Sequence, residues 1–190
     1  MNLKGAIIIL VLLLTFPCFI MGQSNAADHK VNIEVPEVAL LGLISDGSSD
    51  ISFIASSSGE AGNSVSFADM KQSKNIWINY SSIVSDNVPA RKVVASVQGE
   101  MPAGMELMVQ ASRASGAGSG KLGQPVGMVK LSNEPTDVIV DIGSCFTGRG
   151  LNNGHYLSYQ LNFDPTSEEY SQLMVQPVSF NVVYTLTDRN

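Results

Sequence analysis

Cysteine is almost missing from this chain: among 190 residues there are two, Cys18 and Cys145. Cys18 lies in an apolar N-terminal run. If that run is removed as a leader, Cys145 stands alone and no intrachain disulfide can form, so the fold must rest on its apolar core. Charge is also sparse, at 15% of residues, and it leans acidic, with 11 Lys or Arg against 17 Asp or Glu and a net charge of -6. The cations are scattered singly, which argues against nucleic acid and anionic membrane surfaces as partners, since both need a basic patch. There are two histidines, His29 and His155, far apart in sequence. No Asp or Glu spacing resembles a zinc or calcium loop, so neither a metal nor another cofactor is expected. Aromatics make up 7% with Trp77 the single tryptophan, a modest platform for stacking on sugars. Helical periodicity is nearly absent as well, apart from one short stretch, Ser167–Leu173, where a Ser followed by Glu168 and Glu169 reads as a helix N-terminus.

What the chain does have begins with a leader. Lys4 precedes an apolar stretch from Ala6 to Phe16, Pro17 breaks it, and the small and polar residues Gly22–Ala26 follow. These are the parts of an export signal. Residues 1–26 are therefore expected to be a signal peptide cut after Ala26, with a cut after Gly22 as the rival. An uncleaved anchor is the alternative, but the run from Ala6 to Met21 is short of the ~20 residues that span a bilayer. No stable membrane insertion is expected once the leader is gone. Lipidation of Cys18 is disfavoured because Pro17, not a small residue, precedes it. Removing the leader takes Lys4 and no acid, leaving 164 residues with ten cations against 17 acids, a charge of -7. That is one domain's worth of chain, 27–190.

The body reads as short strands. Apolar and polar residues alternate at Val31–Val35, Ile51–Phe53, Val65–Phe67, Ile76–Tyr80, Lys92–Gln98, Met105–Ala111, Val126–Leu131, Val138–Ile142, Tyr156–Phe163 and Val178–Leu186. Turn formers such as Asp46-Gly47, Pro102-Ala103-Gly104 and Asn133-Glu134-Pro135 separate them. In the last segment Val178, Phe180, Val182, Tyr184 and Leu186 share a face, and a strand with one wet face belongs to an antiparallel sheet. The fold class expected is all-β, a two-sheet antiparallel sandwich of immunoglobulin-like type, with a closed barrel as the alternative.

Two glycine-bearing segments invite a functional reading. Ala114–Gly123 looks at first like a nucleotide loop, but Leu122 stands where a P-loop needs Ser or Thr, and no helix follows. A flexible connection between strands is expected there. The second segment, Gly143–Gly154, gathers Thr147, Arg149, Asn152 and Asn153, side chains able to hydrogen-bond a sugar or a partner's backbone. The same Asn-Gly chemistry also suits a long hairpin that merely turns. Asn79-Tyr80-Ser81 matches a glycosylation acceptor, a triplet that also arises often by chance. Cys145, although His155 follows ten residues later, reads as a small buried hydrophobe at the end of an apolar strand.

Taken together, the leader, the alternating N-terminal segment, the sandwich-like body and the final Phe180–Asp188 strand resemble exported bacterial surface proteins of the pilin and spore-coat-U type. Chaperone–usher pilins usually carry a disulfide and a terminal aromatic, which this chain lacks. The resemblance implies a non-enzymatic subunit at the cell surface, in the periplasm or outside the cell, that self-assembles by strand exchange or meets other surface proteins. On that reading Val31, Ile33 and Val35 form either the first strand of the chain's own sheet or an arm that completes a neighbour's. The competing function is a carbohydrate- or ligand-binding sandwich that engages a glycan through Thr147, Arg149, Asn152 and Asn153. A hydrolase would need a carboxylate pair assembled from distant strands.

Overall fold

The computed structural model describes residues 28–54, 59–65, 72, 74–88, 90–163, 166–172 and 178–189. The expected leader, residues 1–26 with Cys18, lies outside them. The chain divides into two compact units, residues 1–35 and 36–190. In the first, residues 28–35 form neither helix nor strand, and Val31, Ile33 and Val35 are 68%, 86% and 66% exposed. The alternation there is real, but no ladder takes it up.

The second unit is all-β. Its strands are β1 (Val38–Ser45), β2 (Ile76–Ile83), β3 (Arg91–Gln98), β4 (Met105–Ala111), β5 (Ser119–Pro125), β6 (Met128–Lys130), β7 (Thr136–Phe146), β8 (His155–Phe163) and β9 (Asn181–Asp188). They form one open, antiparallel, nine-stranded sheet in the order β6-β4-β8-β2-β7-β3-β9, with β1 added to β2 and β5 added to β7. β1 runs along the whole of β2, from Val38 opposite Ile83 to Ser45 opposite Ile76. The other edge of β2 is shared: Ile76–Ile78 pair with β8, and Ser81 and Ser82 pair with β7.

Period-two alternation explains the core. β3 buries Val93, Ala95 and Val97, β4 buries Leu107, Val109 and Ala111, and β8 buries Leu157, Tyr159 and Leu161. All of these join a single apolar cluster with Ile76 and Ile78 of β2 and Val138, Ile139 and Ile142 of β7. The sheet curls enough that Tyr159 of β8 and Tyr184 of β9 share a 2.6 Å hydroxyl–hydroxyl hydrogen bond, although three strands lie between them in the ladder. Burial pushes the Tyr159 hydroxyl up to about 12. It raises Tyr184 further, with the neighbouring Tyr159 adding to the effect.

Several segments depart from the pattern expected of the sequence. Ile51 and Phe53 belong to no strand, yet both pack partly buried against the core. Val65 is likewise outside any strand, and Ser66 and Phe67 lie outside the described residues. The final strand starts at Asn181: Phe180, Val182, Tyr184 and Leu186 do face the core, but Val178 is exposed. The short helix α1 (Ser167–Ser171) is present, with its N-cap one residue earlier than expected, at Thr166. Thr166 and Glu169 exchange the two hydrogen bonds of a capping box.

A further departure is β5. Its glycines suggest a loose connection, but Ser119–Pro125 is a strand laid on β7, from Ser119 opposite Phe146 to Pro125 opposite Ile139. Gly120 and Gly123 adopt φ of +90° and +79°, a region costly for residues with a Cβ. A Cβ on Gly123 would also sit 2.6 Å from Ile142 Cγ1 and 2.8 Å from the Val140 carbonyl oxygen. The glycines are therefore a requirement of close approach to a bulged partner rather than a sign of looseness. β7 is that partner: its registers with β3 and β5 both shift, and Asp141 sits at φ +60°.

Arg91, 4% exposed and opposite Ile142 of β7, joins four strands. Its guanidinium donates to the Val38 carbonyl of β1, to the Ser82 hydroxyl and Ile83 carbonyl of β2 at 3.3 and 3.2 Å, and to Asp188 of β9 at 3.0 Å. It also pairs with Glu37. A planar fork with five donors suits this set of acceptors.

Candidate functional site

The loop from Thr147 to Gly154 links β7 to β8, and its candidate residues separate into two kinds. Thr147 is fully buried. Its hydroxyl accepts from the Tyr80 amide at 2.9 Å and lies 3.3 Å from the Tyr80 carbonyl, continuing the ladder where β7 stops. Asn153 is occupied within the fold: its Oδ1 accepts from the Ala117 amide at 2.8 Å, and its Nδ2 donates to the Arg149 and Leu151 carbonyls of its own loop at 3.0 and 3.2 Å. Arg149 and Asn152 are exposed, and Asn152 turns the chain at φ +62°. The structure thus brings the four residues into one turn but leaves two side chains, Arg149 and Asn152, facing solvent.

Asn79 fastens the same turn from β2. Its Nδ2 donates to the Asn153 carbonyl at 2.6 Å and its Oδ1 accepts from the Gly150 amide at 2.8 Å. Residue and side chain are buried, so the glycosylation triplet at Asn79 is a structural clasp in the folded chain.

A second place was not legible in the sequence. A groove of about 380 Å³ opens over β5, lined by Arg113, Lys121, Leu122, Gln124, Pro125 and Asp141 among others. Next to it is a buried pair, His155 and Tyr80, whose rings stack at 5.6 Å between centroids. His155 Nδ1 lies 2.7 Å from the Ser112 carbonyl, which can only accept, so Nδ1 carries a proton. Nε2 lies 2.7 Å from the Tyr80 hydroxyl, and that hydroxyl also reaches the Leu122 carbonyl of β5. One side chain pair therefore fixes the Leu122 backbone in the lining and the Ser112 backbone next to Arg113. His155 is fully buried, and that burial lowers its basicity below the ordinary histidine range despite the Ser112 and Leu122 carbonyls. Burial likewise raises the Tyr80 hydroxyl, with Cys145 adding to it, and pushes the free Cys145 thiol up to about 11.

No family model, curated protein or solved structure matches this chain. Its chemistry must be read from its own side chains. Among the described residues no group of three or more His, Cys, Asp or Glu is placed to hold a metal ion. No helix among them is long and apolar enough to cross a membrane. The sequence signal for the groove was thin: Arg113 and Lys121 are eight residues apart, and only the fold of β5 onto β7 places them around one depression.

Proposed function

We propose that the chain is an exported, non-enzymatic surface or fibre subunit, built on a two-sheet immunoglobulin-like sandwich and assembled by strand addition between copies. The observation that carries this reading is the segment Val31–Val35. Three apolar side chains in alternation stand more exposed than side chains of that kind normally are, on a backbone that no ladder takes up among the described residues. An unpaired segment of that pattern suits addition to a sheet edge, where main-chain hydrogen bonds supply affinity and alternate side chains supply specificity.

The body supplies edges. Among the described residues β1, β5, β6 and β9 each pair on one side only, with β2, β7, β4 and β3. An open sheet edge invites pairing with another chain unless it is blunted or covered. The sandwich reading draws support from the curl that brings Tyr159 to Tyr184 across three intervening strands of the sheet. The apolar leader expected at residues 1–26 supports export to the periplasm, the cell surface or beyond.

The test is binding in trans. A chain lacking residues 27–36 should bind a synthetic peptide of that sequence, and a peptide with Ile33→Asp should not bind. Equal binding of both peptides, or of neither, contradicts the reading. The second reading, a glycan-binding module acting through the β7–β8 turn, rests on the exposed Arg149 and Asn152. Glycan-array binding lost in an Arg149→Ala, Asn152→Ala variant would favour it.

A further inference from the structure

We propose that the groove over β5 binds a carboxylated sugar, a uronic acid either free or within a polysaccharide. Its volume of about 380 Å³ falls in the range of small-ligand sites. Its charge runs against that of the chain. In a protein of net charge -6, Arg113 and Lys121 both line this groove, and among the described residues neither side chain has an ion-pair or hydrogen-bond partner. The one acid in the lining, Asp141, is already paired with Arg189. The charge left to face a ligand is positive.

Each lining group has a use on such a ligand. A guanidinium fork takes a carboxylate through two parallel hydrogen bonds, and an ammonium adds a mobile point charge. The Gln124 amide donates and accepts, as ring hydroxyls require. Leu122 and Pro125 offer apolar surface to the C–H face of a sugar ring. The site is also built rather than incidental. The Tyr80 hydroxyl fixes the Leu122 carbonyl in the lining, and His155 holds the Ser112 carbonyl one residue before Arg113. The Lys121 stem lies across β7 where Gly143 leaves room: a Cβ at Gly143 would stand 3.0 Å from Lys121 Cβ and Cδ. Asp141 holds an uncommon left-handed conformation at the groove wall, and such residues cluster at functional sites.

An acidic peptide added to β5 as a further strand is the competing occupant. It is disfavoured because Gly120 and Gly123 turn the backbone to positive φ and interrupt the regular alternation that strand addition needs. A small anion needs only the two cations and the neighbouring amide.

The experiment is calorimetric titration of the full chain at low salt with galacturonic acid, with oligogalacturonides and with neutral galacto-oligosaccharides. The acidic sugars should bind and the neutral ones should not. Oligomers binding more tightly than the monomer would assign the site to a polysaccharide, and equal affinity to a free uronate. The Arg113→Gln, Lys121→Gln double variant should keep its melting temperature, because both side chains are exposed, and should bind at least about tenfold more weakly. Independently of any variant, wild-type affinity should fall as salt rises. Binding of neutral sugars at equal strength, salt-independent binding, or tighter binding of polyglutamate than of oligogalacturonide would overturn the assignment.

Discussion

Replacing Arg91 with Met tests the way this sheet is fastened. Methionine keeps much of the aliphatic volume and removes the charge and all five donors. The carboxylates it would release, on Glu37 and Asp188, have side chains 49% and 50% exposed, so each can rehydrate and its loss should cost at most about 1 kcal/mol. The larger cost lies with the backbone. The Val38 and Ile83 carbonyls and the Ser82 hydroxyl lose a charged donor at a position 4% exposed, and a buried acceptor left without its partner costs about 1–3 kcal/mol. Because water can reach some of these groups, the contributions do not simply add. The expected total is about 3–5 kcal/mol, the range for breaking a buried charged network by removing one member. Glu37→Gln and Asp188→Asn should each stay within about 1 kcal/mol. Urea titration of all three variants measures this, read as midpoint shifts at constant slope. An Arg91→Met cost below about 1 kcal/mol, or an Asp188→Asn cost equal to that of Arg91→Met, would refute the argument that the backbone acceptors dominate.

His155 should make stability depend on pH: burial lowers its folded basicity below the ordinary histidine value of 6.5, so the unfolded chain takes up a proton first. Stability is then full above 6.5, falls below it by at most about 1.4 kcal/mol per pH unit, and levels off once the folded form protonates. A His155→Gln variant should lack that component in pH-dependent melts. Cys145, with its thiol at about 11 and its side chain buried, should react with a thiol reagent at pH 8 far more slowly in the native chain than in denaturant. Similar rates in both would place it at the surface. Gly123→Ala should cost about 2–4 kcal/mol through positive φ and collision with Ile142 and Val140. Gly42→Ala on β1, with no atom within 4 Å of the new Cβ, should change melting by no more than about 0.5 kcal/mol.

Strands with clean alternation were legible from sequence. Met105–Ala111 is β4 to the residue, and the β3 and β8 stretches differ from their strands by one residue at the start. Alternation reports burial on one face, and these strands have one buried face. Three other segments were missed for three physical reasons. Val38–Ser45 is mostly apolar and lacks alternation, so nothing marked it as the strand that covers β2. Ser119–Pro125 carries two glycines that the bulged β7 demands at close range, and glycine-rich sequence looks like a linker when its partner is unseen. At Val31–Val35 the alternation is present without a ladder. The β7–β8 turn was expected from Gly143, whereas β7 runs on to Phe146 and leaves 147–154 as the turn; which of its polar side chains stay free could not be read in advance. Thr147 and Asn153 are engaged by Tyr80 and Ala117, 67 and 36 residues away in sequence. The groove over β5 depends on the same long-range pairing.

The most direct test of the assembly proposal is light scattering of the chain comprising residues 27–190 over a wide concentration range, and of the same chain without residues 27–36. The account predicts that the longer chain grows in mass with concentration while the shortened one stays monomeric and folded. A longer chain that remains a monomer at high concentration, with truncation doing no more than lowering its melting temperature, would contradict assembly through the Val31–Val35 segment.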